Sequence, residues 1–245
     1  MMLWYKAWRE SRGRFVLMLA FFAAYIIVNF LRVSFLVGSR PSRTMGTEQI
    51  YFEFYIRWVP ILFFIFVPPL LGAGSLLQER SYGTAALSLS LPVSRSRLVC
   101  ARIGIGMLEF AVLCLVPAIL IPAMSLIEGD SYPISAAFHL AILWIVCGAA
   151  LLAASFLLST VLAGQYTGLA GGIVAIFTYY YVTDGWPFFR LFNMAPIIIG
   201  LNTARPGTAP HGLPEAFPLL NLFVIAMVAL ALFVTVIEIT RRQDF

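Results

Sequence analysis

Residues 137–160 read Ala-Phe-His-Leu-Ala-Ile-Leu-Trp-Ile-Val-Cys-Gly-Ala-Ala-Leu-Leu-Ala-Ala-Ser-Phe-Leu-Leu-Ser-Thr and contain no Asp, Glu, Lys or Arg. A helix that crosses the hydrocarbon core of a bilayer needs about 20 predominantly apolar residues. This stretch therefore predicts a membrane-spanning helix. Similar apolar runs recur along the chain, and the six predicted spans cover residues 15–37, 58–77, 103–127, 137–160, 166–183 and 217–240.

The composition also indicates an integral membrane protein. Of the 245 residues, 61% are hydrophobic and 11% are charged, and the mean hydropathy is +0.93. Soluble domains are about 45–50% apolar and about 25% charged, so a soluble globular or disordered chain is excluded. We predict a single all-α transmembrane domain over residues 1–245. The net charge of +5 is spread over the connectors, and we expect the lipid bilayer and no nucleic acid as a partner.

Lys and Arg are distributed unevenly between the two sets of connectors. The set that includes the N-terminus holds ten of them, and the opposite set holds six. Cytoplasmic connectors carry an excess of Lys and Arg. We therefore predict that both termini are cytoplasmic, and we expect a multi-pass protein of the bacterial cytoplasmic membrane.

Several kinds of chemistry are excluded by residues that the chain lacks. A P-loop needs a lysine after a glycine-rich turn to reach the nucleotide phosphates, and no such turn surrounds Lys6, the only lysine. Two histidines cannot form a three-histidine zinc site. We expect no catalytic residues, no metal and no cofactor bound by this chain.

The segment before the first span, residues 3–14, has the pattern of an amphipathic helix. Trp4 and Trp8 fall on one helical face, whereas Lys6 and Arg9 lie largely on the other side. Such a helix lies in the membrane interface, with its cations towards anionic headgroups. The alternative is a simple charged leader. The predicted interface residues are Trp4, Lys6, Trp8, Arg9 and Arg12.

The connector between the second and third predicted spans carries the most specific pattern. Its apolar stretch, residues 85–91, is too short to cross a membrane. Pro92 ends the helix before it, and Ser94 can cap the helix after it. This pattern predicts a short cytoplasmic helix, a turn, and entry into the third span.

The order of these features resembles the membrane subunits of ABC type-2 exporters. It comprises an amphipathic leader, two spans, the pattern Glu-(x)3-Gly-Thr followed by Leu-Pro-Val-Ser-Arg, and four further spans. The residues that carry the resemblance are Glu79, Gly83, Thr84, Leu91, Pro92, Val93, Ser94 and Arg95. The tail Arg241-Arg242-Gln243-Asp244 resembles the family's basic ending, with Gln243 inserted before the aspartate.

The resemblance implies that residues 79–91 form a coupling helix, which docks on a separate ABC ATPase (nucleotide-binding) subunit. It also implies that residues 3–14 form the family's elbow helix, that ATP and Mg are bound by the partner ATPase, and that a second permease copy or a homologous permease completes the path. The implied coupling residues are Glu79, Arg80, Tyr82, Gly83, Thr84, Leu87, Leu91 and Pro92. The alternative for this segment is a solvated inner loop.

Residues 184–216, between spans 5 and 6, contain short apolar runs interrupted by prolines and Asn193. Such runs are too short to cross and are often re-entrant. The resemblance implies re-entrant helices that line an outer gate. The alternative is an outer loop packed on the ends of the spans.

Two polar side chains inside the predicted spans are candidates for the translocation path, Asn29 and Glu109. Ionisable groups at membrane depth are expensive and usually functional. Glu109, about two turns into the third span, could line the path, pair with an arginine such as Arg102, or reach back to the interface. For Asn29 we favour a hydrogen bond between helices.

Taken together, these features predict the transmembrane permease subunit of an ATP-driven ABC exporter. Such a subunit forms the path as a dimer and is not itself an enzyme. One alternative is a transporter that does not use ATP, or a membrane assembly factor. Another is an integral membrane enzyme, for which Glu109 and two peripheral histidines are a poor set of catalytic groups.

Overall fold

Five long helices make up most of the computed structural model, which describes residues 2–38, 59–72, 94–127, 134–162, 170–174, 176–178 and 219–242. They are α1 (Met2–Gly38), α2 (Val59–Gly72), α3 (Arg95–Ile127), α4 (Ile134–Val161) and α5 (Leu219–Arg242). Residues 170–174 and 176–178 are also helical, and no strand occurs among the described residues. The predicted all-α architecture is confirmed for this part of the chain.

Four described helices are long and apolar enough to cross a membrane: Leu3–Asn29, Ser96–Met124, Ala137–Val161 and Leu219–Arg242. α2 adds a shorter apolar helix, Leu62–Gly72. The predicted spans at 103–127, 137–160 and 217–240 thus fall on α3, α4 and α5. The number of six spans is not confirmed, because residues 73–77 and much of 166–183 lie outside the described ranges.

The predicted elbow helix is helical, but it is not separated from the first span. α1 runs without a break over 37 residues, which is about 55 Å at about 1.5 Å per residue. Residues 3–14 therefore continue directly into residues 15–37. The junction contains only Gly13, and a single glycine costs a helix about 1 kcal/mol, which neighbouring contacts readily offset. Helices longer than the bilayer core of about 30 Å project beyond it or tilt.

The side-chain contacts between helices show how successive helices run. Arg14 lies near Leu70 and Phe22 near Phe63, so α1 and α2 are antiparallel. Ser11 contacts Glu109, and Trp4 lies beside Gly104, so α1 and α3 run in the same direction. Matching pairs between α3 and α4, at Gly106–Phe156 and Phe110–Gly148, show that these two are antiparallel. α1 to α4 therefore alternate in direction, as successive membrane crossings must.

Aromatic rings from four helices meet in the core. The ring centroid of Phe63 on α2 lies 4.9 Å from that of Phe22 on α1, 5.7 Å from Phe110 on α3 and 5.6 Å from Trp144 on α4. All four residues are buried. Gly148 makes room for this cluster, because a Cβ at that position would overlap the Phe110 ring. Close packing around small residues is what holds membrane helices together.

Large apolar side chains cover the outside of the bundle. On α5, Phe223, Met227, Leu230 and Val234 recur at helical spacing and are exposed. α1 likewise exposes Val16, Leu17, Phe21 and Val28 along its length. Soluble monomers rarely expose apolar surface on this scale. The pattern is that of a helix bundle whose outer faces contact hydrocarbon.

Candidate functional site

The residues predicted to couple with an ATPase, Glu79, Arg80, Tyr82, Gly83, Thr84, Leu87, Leu91 and Pro92, lie outside the described residues, as do residues 184–216. Their roles stay predictions. The two helices that border the coupling segment are described, however. Ser94 precedes α3, and its carbonyl accepts the first helical hydrogen bond from the Leu98 amide at 3.3 Å. The helix thus starts where the sequence places it.

The end of α2 and an early part of α3 contact one turn of α4. A Cβ built at Gly72 would lie 2.7 Å from the Ser155 Cβ, and one built at Gly106 would lie 3.1 Å from the Phe156 Cζ. Gly72 is the last residue of α2, and Gly106 lies about three turns after the start of α3. We call this end of the bundle, formed by residues 2–14, 70–72, 94–109 and 155–156, the basal end.

The leader residues lie at the basal end, and part of the face assigned to the membrane interface packs on protein instead. Trp4 is 49% exposed, but its ring lies against Gly104, where an added Cβ would come within 2.5 Å of the Trp4 Cη2. Ala7, on the same face, is buried. The Trp8 ring centroid lies 5.7 Å from that of Phe15. This face packs on α3 because Gly104 leaves room for the Trp4 ring and Glu109 accepts a hydrogen bond from Ser11.

The predicted cations of the leader lie on its other faces. The Lys6 ammonium is 3.8 Å from a Glu10 carboxylate oxygen, one helical turn away. Arg9 and Arg12 are exposed. This arrangement is consistent with cations directed towards an aqueous or headgroup layer.

Glu109 is enclosed within the helix bundle. Its side chain has no exposed surface, and its Oε1 accepts a hydrogen bond of 2.5 Å from the Ser11 hydroxyl on α1. Its Oε2 is buried and has no hydrogen-bond partner in the described part of the structure. Both carboxylate oxygens lie inside the bundle and face the leader, and the alternative in which Glu109 reaches back to the interface stays a prediction. Its role in the path stays a prediction.

The suggested pairing of Glu109 with Arg102 also differs from what the structure shows. The Arg102 guanidinium donates to Glu10 Oε2 at 2.9 Å. Arg102 lies about two turns closer than Glu109 to the start of α3, and its side chain meets the leader at Glu10. Ser11, the next residue of the leader, bonds to Glu109.

Asn29, the second path candidate, uses its described hydrogen bond inside its own helix. Its Nδ2 donates to the Tyr25 carbonyl at 2.7 Å, one turn earlier in α1. The described residues show no bond from Asn29 to another helix, and the expected bond between helices stays a prediction. Backbone carbonyls one turn back are always within reach of a short polar side chain in a helix. The role of Asn29 in the path stays a prediction.

Arg14 is a basal-end residue that sequence reasoning did not single out. Its Nη1 donates to the Leu70 carbonyl at 3.0 Å, which joins α1 to the last turn of α2. In the sequence, Arg14 counted only as one of the cations that set the orientation. The signal that distinguishes it is its place at the boundary of an apolar run, where a long cation can reach a carbonyl at a helix end.

At the far end of α5, Arg242 Nε donates to Glu238 Oε1 at 2.7 Å, and an Arg241 nitrogen lies 3.7 Å from Glu238 Oε2. These pairs keep the charges together at the helix end. The rest of the predicted basic tail, residues 243–245, lies outside the described residues. Among the described residues there is no group of three or more His, Cys, Asp or Glu side chains that could hold a metal ion.

A family model described as ABC-2 family transporter protein matches residues 44–244. The match includes α2 to α5 and the whole of segment 73–93, and it begins after α1. No curated protein and no solved structure matches the chain significantly. The apolar helices and this match, which covers most of the chain, agree with each other: the chain belongs to the ABC-2 family of transporter proteins, as a multi-pass membrane permease.

Proposed function

We propose that this chain is the transmembrane permease subunit of an ATP-driven exporter. Two copies, or one copy and a related permease, enclose the translocation path between them. Two separate ATPase subunits, which bind ATP and Mg, dock on residues 79–91. The observation that carries the proposal is the family match over residues 44–244, which contains the coupling pattern between α2 and α3.

The charges and shape of segment 79–91 suit a docking role. Glu79 and Arg80 can form ion pairs with a partner, and Gly83 allows the two backbones to approach closely. The energy must come from outside these 245 residues, since no P-loop occurs in them. Only a cytoplasmic connector can meet a cytoplasmic ATPase.

The described geometry suggests how ATP binding would move the spans. α2 ends at Gly72 and α3 begins at Arg95, on either side of the stretch that contains the docking segment, and both helices contact α4, at Ser155 and Phe156. A push on residues 79–91 would be passed along the chain to both helices. The aromatic cluster around Phe63 then passes displacement of α2 to α1, α3 and α4.

Two substitutions in the docking segment test the proposal. The tagged chain is co-expressed with its ATPase, purified in mild detergent, and assayed for ATPase retained per permease and for ATP hydrolysed. Glu79→Arg reverses a charge, and Gly83→Arg places a long side chain where backbones must approach. Overpacking costs about 1–3 kcal/mol, and about 1.4 kcal/mol is tenfold in affinity. We expect the affinity for the ATPase to fall by about 5- to 150-fold in Gly83→Arg, with less ATPase retained and with normal insertion.

The matched control is Gly13→Arg, which adds the same side chain at a helical glycine with nothing within 4 Å of its missing Cβ. It should retain the ATPase. Normal retention and hydrolysis in both docking variants would overturn the coupling role. If no P-loop ATPase accompanies the native chain, a transporter that does not use ATP or an assembly factor becomes the better account.

A further inference from the structure

Three residues of α1 (Glu10, Ser11 and Arg14) connect this helix to α2 and α3, the helices on either side of segment 73–93. Arg14 Nη1 donates to the Leu70 carbonyl, near the end of α2, at 3.0 Å. Glu10 accepts from Arg102 at the start of α3 at 2.9 Å, and Ser11 donates to Glu109 one to two turns further on. We call these three connections the basal clasp. Its members on α1 lie outside the family match, whereas Leu70, Arg102 and Glu109 lie inside it.

The Ser11–Glu109 connection is costly to break, and the cost falls on Glu109. Ser11 has a substitute acceptor, because its Oγ also lies 3.1 Å from the Ala7 carbonyl of its own helix. Glu109 has no second hydrogen-bond partner in the described structure, because its Oε2 has none and neither oxygen reaches the surface; the Arg14 guanidinium also attracts this carboxylate. A buried polar group that loses its hydrogen bond bears a desolvation penalty. Separation of α1 from α3 is therefore opposed at this point.

The Glu10–Arg102 connection joins a largely enclosed cation to an exposed carboxylate. The Arg102 side chain is 11% exposed, and Glu10 at 39% bridges it to the Lys6 ammonium. Hydrogen bonds with an ionised partner are the stronger kind. The apolar contacts point the same way, because Trp4 lies on Gly104 and Ala7 is buried between the clasp and that contact.

We propose that the basal clasp makes residues 2–14 of α1 a positioning element of the coupling machinery, so that the end of α2, the start of α3 and the leader move as one body when the ATPase displaces residues 79–91. Glu10, Ser11 and Arg14 are then positioning residues that act through α2 and α3. This inference rests on the proposed function. It gives the leader a mechanical task in addition to anchorage at the membrane surface.

Hydrogen–deuterium exchange of the complete permease–ATPase complex in lipid nanodiscs tests the proposal. Exchange is followed in peptides from residues 2–14 and 73–93, without nucleotide and after trapping with ATP and vanadate. In the native chain we expect trapping to change exchange in both peptides. In the double variant Ser11→Ala/Glu109→Leu, the change at residues 73–93 should remain, and the change at residues 2–14 should be lost.

Two further variants separate the clasp from general damage. Thr240→Ala removes another buried hydroxyl, whose 2.8 Å hydrogen bond to the Val236 carbonyl stays within α5, and it should retain both changes. Glu10→Arg should lose the change at residues 2–14, and Glu10→Arg/Arg102→Glu should restore it. Restoration by charge exchange would not follow from a purely structural effect of residue 10, and it keeps the test valid if Glu109→Leu impairs folding.

The outcomes distinguish the clasp from the proposed function. If trapping changes residues 73–93 alone in the native chain, or if the double variant retains both changes, the clasp is overturned and the coupling role stands. If the ATPase is bound but trapping changes neither peptide, the coupling role fails, and the clasp fails with it.

Discussion

The substitution Gly148→Ala tests the packing on which the bundle depends. Gly148 lies on α4 opposite the aromatic cluster of α2 and α3. A Cβ built there would overlap the Phe110 ring and would lie 2.8 Å from the Phe64 Cε1. Phe110 is fully buried and Phe64 is 4% exposed, so neither ring has free space into which it can move. Both rings must shift together, or α4 must move away.

The magnitude follows from two opposing effects. Overpacking of a filled core costs about 1–3 kcal/mol, and two enclosed rings place this site near the upper figure. Alanine is favoured over glycine in a helix by about 1 kcal/mol, which offsets part of the cost. We therefore expect a net loss of about 2 kcal/mol. For chains of 150–250 residues, each kcal/mol lowers the unfolding midpoint by about 2–4 °C, so the expected shift is about 4–8 °C.

Gly13→Ala is the matched control, since it offers the same helical gain with nothing within 4 Å of the new Cβ. The assay heats each tagged variant in the same detergent with the same temperature ramp, and measures the monodisperse protein that remains by size-exclusion chromatography. Gly13→Ala should melt at or above the native midpoint, and Gly148→Ala clearly below it. Equal midpoints for the two variants would refute the packing that the structure assigns to Gly148.

Two other predictions concern buried groups. The three cysteines are free, with Cys100 exposed and Cys114 and Cys147 buried. N-ethylmaleimide should therefore add one label per native chain and three after denaturation, as counted by intact mass. Two or three labels before denaturation would contradict the burial of Cys114 and Cys147. Glu109→Gln keeps an acceptor for Ser11 and should shift the melting midpoint less than Glu109→Ala, which removes the partner on α3 and should cost about 1–3 kcal/mol; equal shifts would show that the hydrogen bond contributes nothing.

The sequence predicted the long apolar helices well, because composition alone determines them. The predicted spans at 103–127, 137–160 and 217–240 differ from α3, α4 and α5 mainly in where the helices begin and end. α3 starts eight residues before its predicted span, at Arg95, since Ser94 precedes the helix and the polar residues after it continue the same helix. A hydropathy window detects the apolar stretch of a helix, and it misses the polar residues that extend the same helix.

The leader shows where pattern reasoning stops. The spacing of Trp4 and Trp8 indicates an amphipathic helix, but this pattern cannot tell whether lipid or a neighbouring helix covers its apolar face. The contact with Gly104 depends on how α1 is rotated against α3, which is set by packing across about a hundred residues of chain. The absence of an elbow break follows from the lack of any proline near Gly13.

The polar contacts of the basal end were the least predictable. Glu109 stood out in the sequence as an acid within a span, yet its partner is Ser11 and not an arginine of its own helix. A residue one turn away is close in sequence but is not necessarily closest in space, since helices present each face to a different neighbour. Arg14 reaches a backbone carbonyl, and a carbonyl leaves no trace in the sequence.

The proposed function requires residues 79–91 to contact a separate ATPase, and photo-crosslinking detects such a contact. A photoreactive phenylalanine analogue replaces Tyr82 in the chain expressed in its own membrane, and mass spectrometry identifies the adduct after irradiation. The same analogue at Val234, an exposed apolar position on α5, is the control. We predict an adduct with a P-loop ATPase from position 82 and none from position 234. Adducts from position 82 that contain no P-loop protein, or labelling of Ser94→Cys only from outside the cell, would contradict the docking role.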